Sequence, residues 1–470
     1  MPEHNNYAAL AVAAAGGAAA ALIARRLLSQ NNQRRYLSTH SIGSDLHLSS
    51  EETNTCIYLD HNGTTPIYPA VLEEMMPYLT THFGNPSSGH AYGKEPKAAV
   101  ALARRRVMSL LVDDEESLNM ADDCIIFTGC GTESDNLAIE LALASCGKRN
   151  HVVTCNIEHP AVLECLKVME NAGKIDLTIV EVNDEGIISV DDVAKAIKPD
   201  QTALVTIMLA NNEVGSLQPI ADIAKLCQEA NVLLHTDAAQ AVGKVSVELK
   251  DLGHPDMITI VGHKMGAPKG VAALYVRRGC LSENGRVEPH GYGSCGLALR
   301  GGGQEKGRRA GTENVAYIAG LGKAAQLLTK QSQADKSKKQ WMDNAEHMSG
   351  LRSRLLDNLT FTLGEENVRT NGPADPASRL PNTLSVGLRN VHSGELLKAV
   401  SNQVAASAGS ACHASGGGVS AVLKCLHVPG EFARGTLRLS VGPGTSIEEI
   451  DRASEIIAAE AKKQLDSDFI

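Results

Sequence analysis

The chain has 470 residues, 43% of them hydrophobic and 21% charged, an ordinary soluble composition with room for more than one core. A formal net charge of -10 and an aromatic content of 3% exclude a nucleic-acid partner, because neither a basic field nor a set of stacking platforms is available. Eleven cysteines lie scattered, without zinc-ligand spacing or a short secreted framework, which points to a reducing compartment, buried thiols and no metal site.

The first segment differs from the rest. Tyr7 to Ile23 is almost wholly Ala, Gly, Leu and Val, Arg25, Arg26, Arg34 and Arg35 follow, and no acidic residue falls between Glu3 and Asp45. Residues 1–50 are therefore expected to be a targeting leader or disordered tail, with Arg35-Tyr36-Leu37-Ser38 similar to a mitochondrial processing site and plastid or cytosol as alternatives. So many of the apolar residues are Ala that a membrane anchor is disfavoured.

Residues 51–72 are expected to join a small C-terminal domain. From 73 to 319, apolar runs alternate with helical patterns, which predicts an α/β domain with a mostly parallel sheet. Its strands are expected at Cys124–Thr128, His151–Cys155, Ala203–Leu209, Val232–His235, Met257–Val261 and Val271–Val276, with helices such as Glu133–Ala144 and Ile220–Ala230 between them. A polar helical stretch, Leu327–Asn344, opens the smaller α+β domain of residues 320–470, which carries strands at Asn382–Gly387 and Arg438–Val441 and a small-residue loop at Ser407–Gly418.

Three features in the larger section carry chemistry. The turn Thr128-Gly129-Cys130-Gly131-Thr132-Glu133-Ser134-Asp135-Asn136 joins a strand to a helix N-terminus, where small residues and exposed N–H groups suit a phosphate. Asp237 and Lys264 each follow a buried strand, where open α/β sheets bind ligands. Alone, the acid is a common cap and the lysine a common surface cation. Together they are the pair that pyridoxal phosphate needs, a Schiff-base lysine and an acid that keeps the pyridine nitrogen protonated.

With those residues, Tyr58-Leu59-Asp60-His61-Asn62-Gly63-Thr64-Thr65, Gly84-Asn85-Pro86-Ser87-Ser88, Glu158-His159, Asn211-Asn212-Glu213, His235-Thr236-Asp237-Ala238-Ala239-Gln240, Gly262-His263-Lys264 and Gly301-Gly302-Gly303-Gln304-Glu305 follow in order, and the chain from Ile57 onward resembles the cysteine desulfurase and selenocysteine lyase family. The resemblance implies a fold-type I pyridoxal phosphate enzyme. It makes Lys264 the cofactor lysine, Asp237 the pyridinium partner, His159 the residue stacked on the ring, and Gln240 and Asn212 contacts on the phenolic-oxygen side. Gly131, Thr132 and His263 would hold the phosphate, and Thr312 would reach a second subunit's phosphate in a homodimer.

The loop around Cys412 is too rich in small residues to pack, so an exposed, nucleophilic thiol is expected there. By the resemblance Cys412 accepts sulfur as a persulfide and passes it to an acceptor protein. Arg438 would bind the substrate carboxylate, with Asn85 at the same end of the pocket. One departure bears on the substrate. Bacterial-type desulfurases usually carry Ser or Thr where this chain has Val261, and animal selenocysteine lyases carry Val, so the residues tilt toward selenium while the leader tilts toward sulfur for iron-sulfur clusters. Other readings are an aminotransferase or kynureninase-like lyase in which Cys412 is incidental, and a scaffold without activity.

Overall fold

A computed structural model of the chain describes residues 56–281, 299, 301–408 and 419–467. The expected leader and Cys412 lie outside the described residues.

The described chain starts with strand β1 (Ile57–Tyr58) and helices α1 (Pro69–Thr80) and α2 (Ala91–Met108). An alternating run follows: β2 (Ile125–Thr128), α3 (Gly131–Ser145), β3 (His151–Cys155), α4 (Pro160–Asn171), β4 (Asp176–Val180), α5 (Val190–Ala196), β5 (Thr202–Thr206), α6 (Ile220–Glu229), β6 (Leu233–Asp237), β7 (Met257–Val261) and β8 (Ala272–Val276). The remainder comprises α7 (Val315–Thr329), α8 (Gln340–Leu363), β9 (Val368–Thr370), β10 (Thr383–Leu388), α9 (Ser393–Val400), β11 (Val404–Ala405), β12 (Ser407–Ala408), β13 (Thr436–Ser440) and α10 (Ile447–Ser467).

Strands β2 to β8 form one sheet in the order β2-β8-β7-β6-β5-β3-β4, with β8 antiparallel to both neighbours and the other pairs parallel. Apolar side chains alternate between its faces: Ile125 and Phe127 join one core, Ile126 the other, as a period of two requires. Burial on both faces explains the near-continuous apolar runs that announce these strands in the sequence. Strand β4 escaped notice because it is an edge strand, with Asp176 and Ile179 exposed and no apolar run to mark it.

Helix α7 packs against α1 and α2 so closely that a Cβ on Gly322 would sit 2.6 Å from the Cα of Ala103. The predicted helix over Leu327–Asn344 is corrected: α7 stops at Thr329, and α8 starts at Gln340. Between them Ser332 Oγ accepts from the backbone N–H groups of Ala334 and Asp335 at 3.0 Å each, and Asp335 Oδ1 accepts from that of Ser337 at 2.9 Å. These side chains offer the backbone a local alternative to helix.

The second sheet has the order β12-β13-β10-β9 and is antiparallel, and Leu355, Leu384, Val386, Leu437, Leu439 and Ile457 fill the core between it and helices α8 and α10. The start of the described chain returns to this side: β1 pairs in parallel with β11, and Asp60 bridges to Ser440. The C-terminal ends of β6 and β7 meet that segment, and the chemistry is found there.

Candidate active site

Strand β7 ends at Val261, and Gly262–Lys264 makes a single 3-10 turn that points Lys264 at the segment after β1. A Cβ on Gly262 would lie 2.9 Å from the carbonyl oxygen of Val271, so the tight exit needs glycine. Lys264 Nζ donates to the carbonyl of Asn62 and, at 2.6 Å, to that of Gly63. Burial, then the charge of Arg438, pushes its pKa down to about 8, against the opposing pull of Asp60 and Asp237. It is a lysine that sheds its proton close to neutrality.

Asp237 is the last residue of β6, in register with Thr259 of β7. Its Oδ1 accepts from the backbone N–H of Ala239 at 2.8 Å. Burial raises its pKa, while that hydrogen bond, His159 and Lys264 act the other way. The groups behind it are uncharged. His235 is wedged between Thr206 Oγ1 at 2.9 Å and Thr259 Oγ1 at 3.1 Å, and burial pushes its pKa to about 3. Asp135 is raised well above the usual carboxylate range by burial and by the charge of Asp237. Burial also lifts Glu158 to about 8, although its Oε1 accepts from the N–H of Met208 at 2.6 Å. Asp237 is left as the carboxyl with cationic neighbours.

The turn before α3 behaves as a phosphate cradle should. Its N-cap, Cys130, supplies no side-chain cap, so the first N–H groups of a 15-residue helix are free for an anion. Glu133 braces the turn, accepting from Gly129 N at 2.7 Å and from Arg309 Nε at 2.6 Å. A Cβ on Gly131 would meet Val261 Cγ2 at 2.6 Å, so β7 packs directly under the cradle. Thr132 is exposed beside it. His263 Nδ1 lies 3.1 Å from Thr64 Oγ1, and burial, with Lys264 and Lys269, pushes its pKa down to about 4. A neutral imidazole, uncapped helix N–H groups, a carboxylate and a readily deprotonated lysine fit pyridoxal phosphate.

His159 caps α4, its Nδ1 accepting from the N–H of Ala161 at 3.1 Å, and the ring stays exposed. The capping role and a ring-stacking role are compatible, because the cap uses one edge of the imidazole and leaves its face open. Its pKa is lowered by burial of its surroundings and by Lys264, and raised by Asp237.

Asn62 ties these groups together, a role the sequence did not reveal. Its carbonyl accepts from Lys264 Nζ and, at 3.0 Å, from Gln240 Nε2. Its Oδ1 accepts from Asn382 Nδ2 at 3.0 Å and from Lys244 Nζ at 3.4 Å, and its Nδ2 donates to the carbonyl of Asn212 at 3.1 Å and to Thr383 Oγ1 at 2.8 Å. Lys244 is a second buried amine, bonded to Gln240 Oε1 at 3.0 Å and pushed down to about 7 by burial and by Lys264 and Arg438. Nothing in its local pattern, Ala241-Val242-Gly243-Lys244-Val245, distinguishes it from a surface lysine.

Arg438, on β13, is 2% exposed. Its Nη2 donates to Asp60 Oδ1 at 2.7 Å and Ser407 Oγ at 3.1 Å, while among the described residues its buried Nε has no partner. The chain on either side of the stretch 409–418 is anchored nearby: Ala408 pairs with Leu437, and Ser420 Oγ, two residues past its end, donates to Glu213 Oε2 at 2.5 Å. Glu213 is raised to about 7 by burial, opposed by Ser420 and Arg438. Lys264, Asp237, His159, Gln240, Asn212, His263 and Arg438 are thus linked by hydrogen bonds or by mutual charge. Asn85 instead closes a local turn on the N–H of Ser87 at 2.8 Å, and Thr312 is exposed ahead of α7.

The model of the aminotransferase class-V family matches residues 57–453. The cysteine desulfurase IscS of Clostridium botulinum is 39% identical over 406 residues, spanning 86% of this chain and 94% of that protein. A cysteine desulfurase of Trichormus azollae is 40% identical over 402 residues, 85% of this chain and 92% of its own. Among solved structures, a NifS-like protein superposes with a TM-score of 0.73 at 31% identity, covering 86% of this chain and 98% of its own. Another, described as SspA in complex with cysteine, gives 0.66 at 30% identity over 83% of this chain and 99% of its own.

Proposed function

The chain belongs to the aminotransferase class-V family, and from that premise we propose that it is a pyridoxal phosphate-dependent cysteine desulfurase, taking sulfur from L-cysteine and releasing L-alanine. The observation that carries the reading is the meeting of Lys264, Asp237 and Arg438 beside both anchored flanks of the stretch that contains Cys412. Bound at this site, the cofactor supplies an electron sink that acidifies the Cα–H bond of the amino acid.

The residues divide the remaining work. Arg438 orients the substrate carboxylate, and its unpartnered Nε is the N–H that such a ligand satisfies. Lys264 Nζ, with a pKa near neutrality, takes the Cα proton and hands it back. Asp237 would hold the ring nitrogen in its protonated form, and the shifts of Asp135, Glu158 and His235 toward their neutral forms would keep that interaction undiluted. Gly131, Thr132 and His263 would take the phosphate, with Thr312 completing the set in a homodimer. Gln240, Asn212 and His159 would contact the ring, and Asn85 would close the substrate end. Cys412 thiolate bonds to the substrate sulfur as the Cβ–S bond breaks. The electron pair of that bond stays with the carbon skeleton, which leaves as alanine after protonation.

The test is alanine release from L-cysteine and from L-selenocysteine by the intact holoenzyme and by Cys412→Ala. Loss of cysteine turnover in the variant is expected. Undiminished turnover makes Cys412 incidental and favours an aminotransferase or kynureninase-like reaction, and no alanine from either amino acid from the intact enzyme overturns the proposal. Selenocysteine turnover that survives Cys412→Ala assigns selenium as a second substrate. The leader composition supports delivery to the mitochondrion, with a persulfide-accepting protein of iron-sulfur cluster assembly as partner; residues 1–50 fused to a fluorescent protein that stays cytosolic would count against it.

A further inference from the structure

A cavity of about 330 Å³ opens between α8, β9, β10 and the loop 371–379, and shares no residue with the Lys264 cluster. Its floor holds two buried guanidinium groups, Arg352 at 8% and Arg379 at 6% exposure. Arg352 Nη1 donates to the carbonyl of Leu380 at 2.8 Å. Arg379 staples its own loop, donating from Nε to Pro373 O at 2.7 Å and from Nη2 to Asn371 O at 3.1 Å and again to Pro373 O. Among the described residues neither arginine has a carboxylate within ion-pair distance.

Buried arginines are ordinarily paired, since an uncompensated buried charge is expensive. Here two like charges line one cavity. Burial and the charge of Arg352 push Arg379 down to about 10, and Glu185 compensates only at a distance. Burial also lowers Arg352. Among the described residues the carbonyl bonds leave Arg379 Nη1 and Arg352 Nε and Nη2 without partners, and none of these atoms is sealed from solvent. Stapling a loop needs one guanidinium. It does not explain a second beside it, nor a cavity over both.

We propose that Arg352 and Arg379 form a binding site for a small oxyanion, a phosphate or a carboxylate, whose charge neutralises the pair and whose oxygens take their remaining N–H groups. Planar guanidinium forks suit such ligands. Thr370 at the cavity wall adds a hydroxyl, while exposed Asp357 at the rim disfavours large polyanions.

The test uses the holoenzyme, so that cofactor already fills its own phosphate cradle. Inorganic phosphate and acetate are titrated separately at fixed ionic strength, with sodium chloride as balance, and followed by calorimetry and melting temperature. A saturable response is expected, weakened about tenfold or more in R352Q. If R352Q does not fold, R352K serves, because it retains a donor for Leu380 but loses the fork; phosphate is again expected to bind less tightly. A preference for phosphate assigns a phosphorylated ligand, and a preference for acetate a carboxylate. No saturation by either anion overturns the site. So does a response equal in the intact protein and both variants, or one abolished by R438K and unchanged by R352K, which would put the anion in the substrate pocket.

Discussion

Asp237 owes its usefulness to what stands behind it. Were Asp135 and Glu158 ionised, three carboxylates would compete for the same cationic partners; burial raises both rear groups, while Asp237, also raised by burial, is the one that the backbone N–H of Ala239, His159 and Lys264 pull back down. Because Glu158 has a pKa of about 8 in the fold, above its ordinary 4.5, the folded state binds that proton more tightly than the unfolded one. The contribution to stability is complete below pH 4.5 and is lost as pH rises through 8. Glu158→Gln keeps an acceptor for Met208 and removes the titration. Its urea midpoint should therefore fall less between pH 5.5 and pH 8.5 than that of the intact protein; equal slopes would refute the assignment. For Arg438→Lys, the loss of a planar fork predicts a KM for L-cysteine raised by about tenfold or more with cofactor absorbance retained, measured by steady-state kinetics. Lys264 and Asp237 were legible because strand ends are readable and their chemistry is distinctive. Asn62, Lys244 and Asp60 were not assigned roles, since their partners lie far off in sequence: Lys244 meets Asn62 across 182 positions, and Asp60 meets Arg438 across 378.

At the scale of elements, the join between β2 and α3 is the cradle, and its geometry depends on β7. Gly131→Ala places a methyl against Val261, so cofactor affinity should drop about tenfold, and Val261→Ala added to it should restore most of the loss. Fluorescence titration with pyridoxal phosphate measures both; failure of the second change to help would mean that the cradle is damaged by something other than this contact. At this position Val261 offers the turn packing rather than a hydroxyl. Gly322→Ala pushes a Cβ onto the backbone of Ala103 and should cost about 1–3 kcal/mol by denaturant unfolding. Buried strands were readable from sequence within a few residues, as at His151–Cys155 and Met257–Val261, whose bounds agree. Edge strand β4 and the break between α7 and α8 were not. The first is a part-exposed edge strand whose apolar residues are interrupted by Asp176 and Thr178, and the second is decided by side-chain bonds to backbone rather than by periodicity.

For the molecule as a whole, Asn62 joins two cores. Its side chain and carbonyl reach Thr383 and Asn382 on one side and Gln240, Lys244 and Lys264 on the other, while its N–H donates to Ser440 Oγ at 2.9 Å. Asn62→Ala should loosen the smaller sheet from the larger one. Amide hydrogen exchange in Thr383–Leu388 and Thr436–Ser440 is expected to quicken while Thr202–Thr206 stays protected, with kcat lowered by about tenfold or more; uniform exchange across both sheets would argue against a junction.

That junction also sets the order in which a working molecule comes into being. During synthesis β1 and the segment after it leave the ribosome well before their partners at Val404–Ala405 and Ser440, the latter 378 positions after Asn62. Lys264, Asp237 and the cradle emerge in between, without Arg438 to receive a substrate. A chain that stops before the strand Thr436–Ser440 carries Lys264, Asp237 and the cradle but not the arginine proposed to hold an amino acid by its carboxylate. Capture of a substrate through Arg438 thereby waits until the strand Thr436–Ser440 has been made.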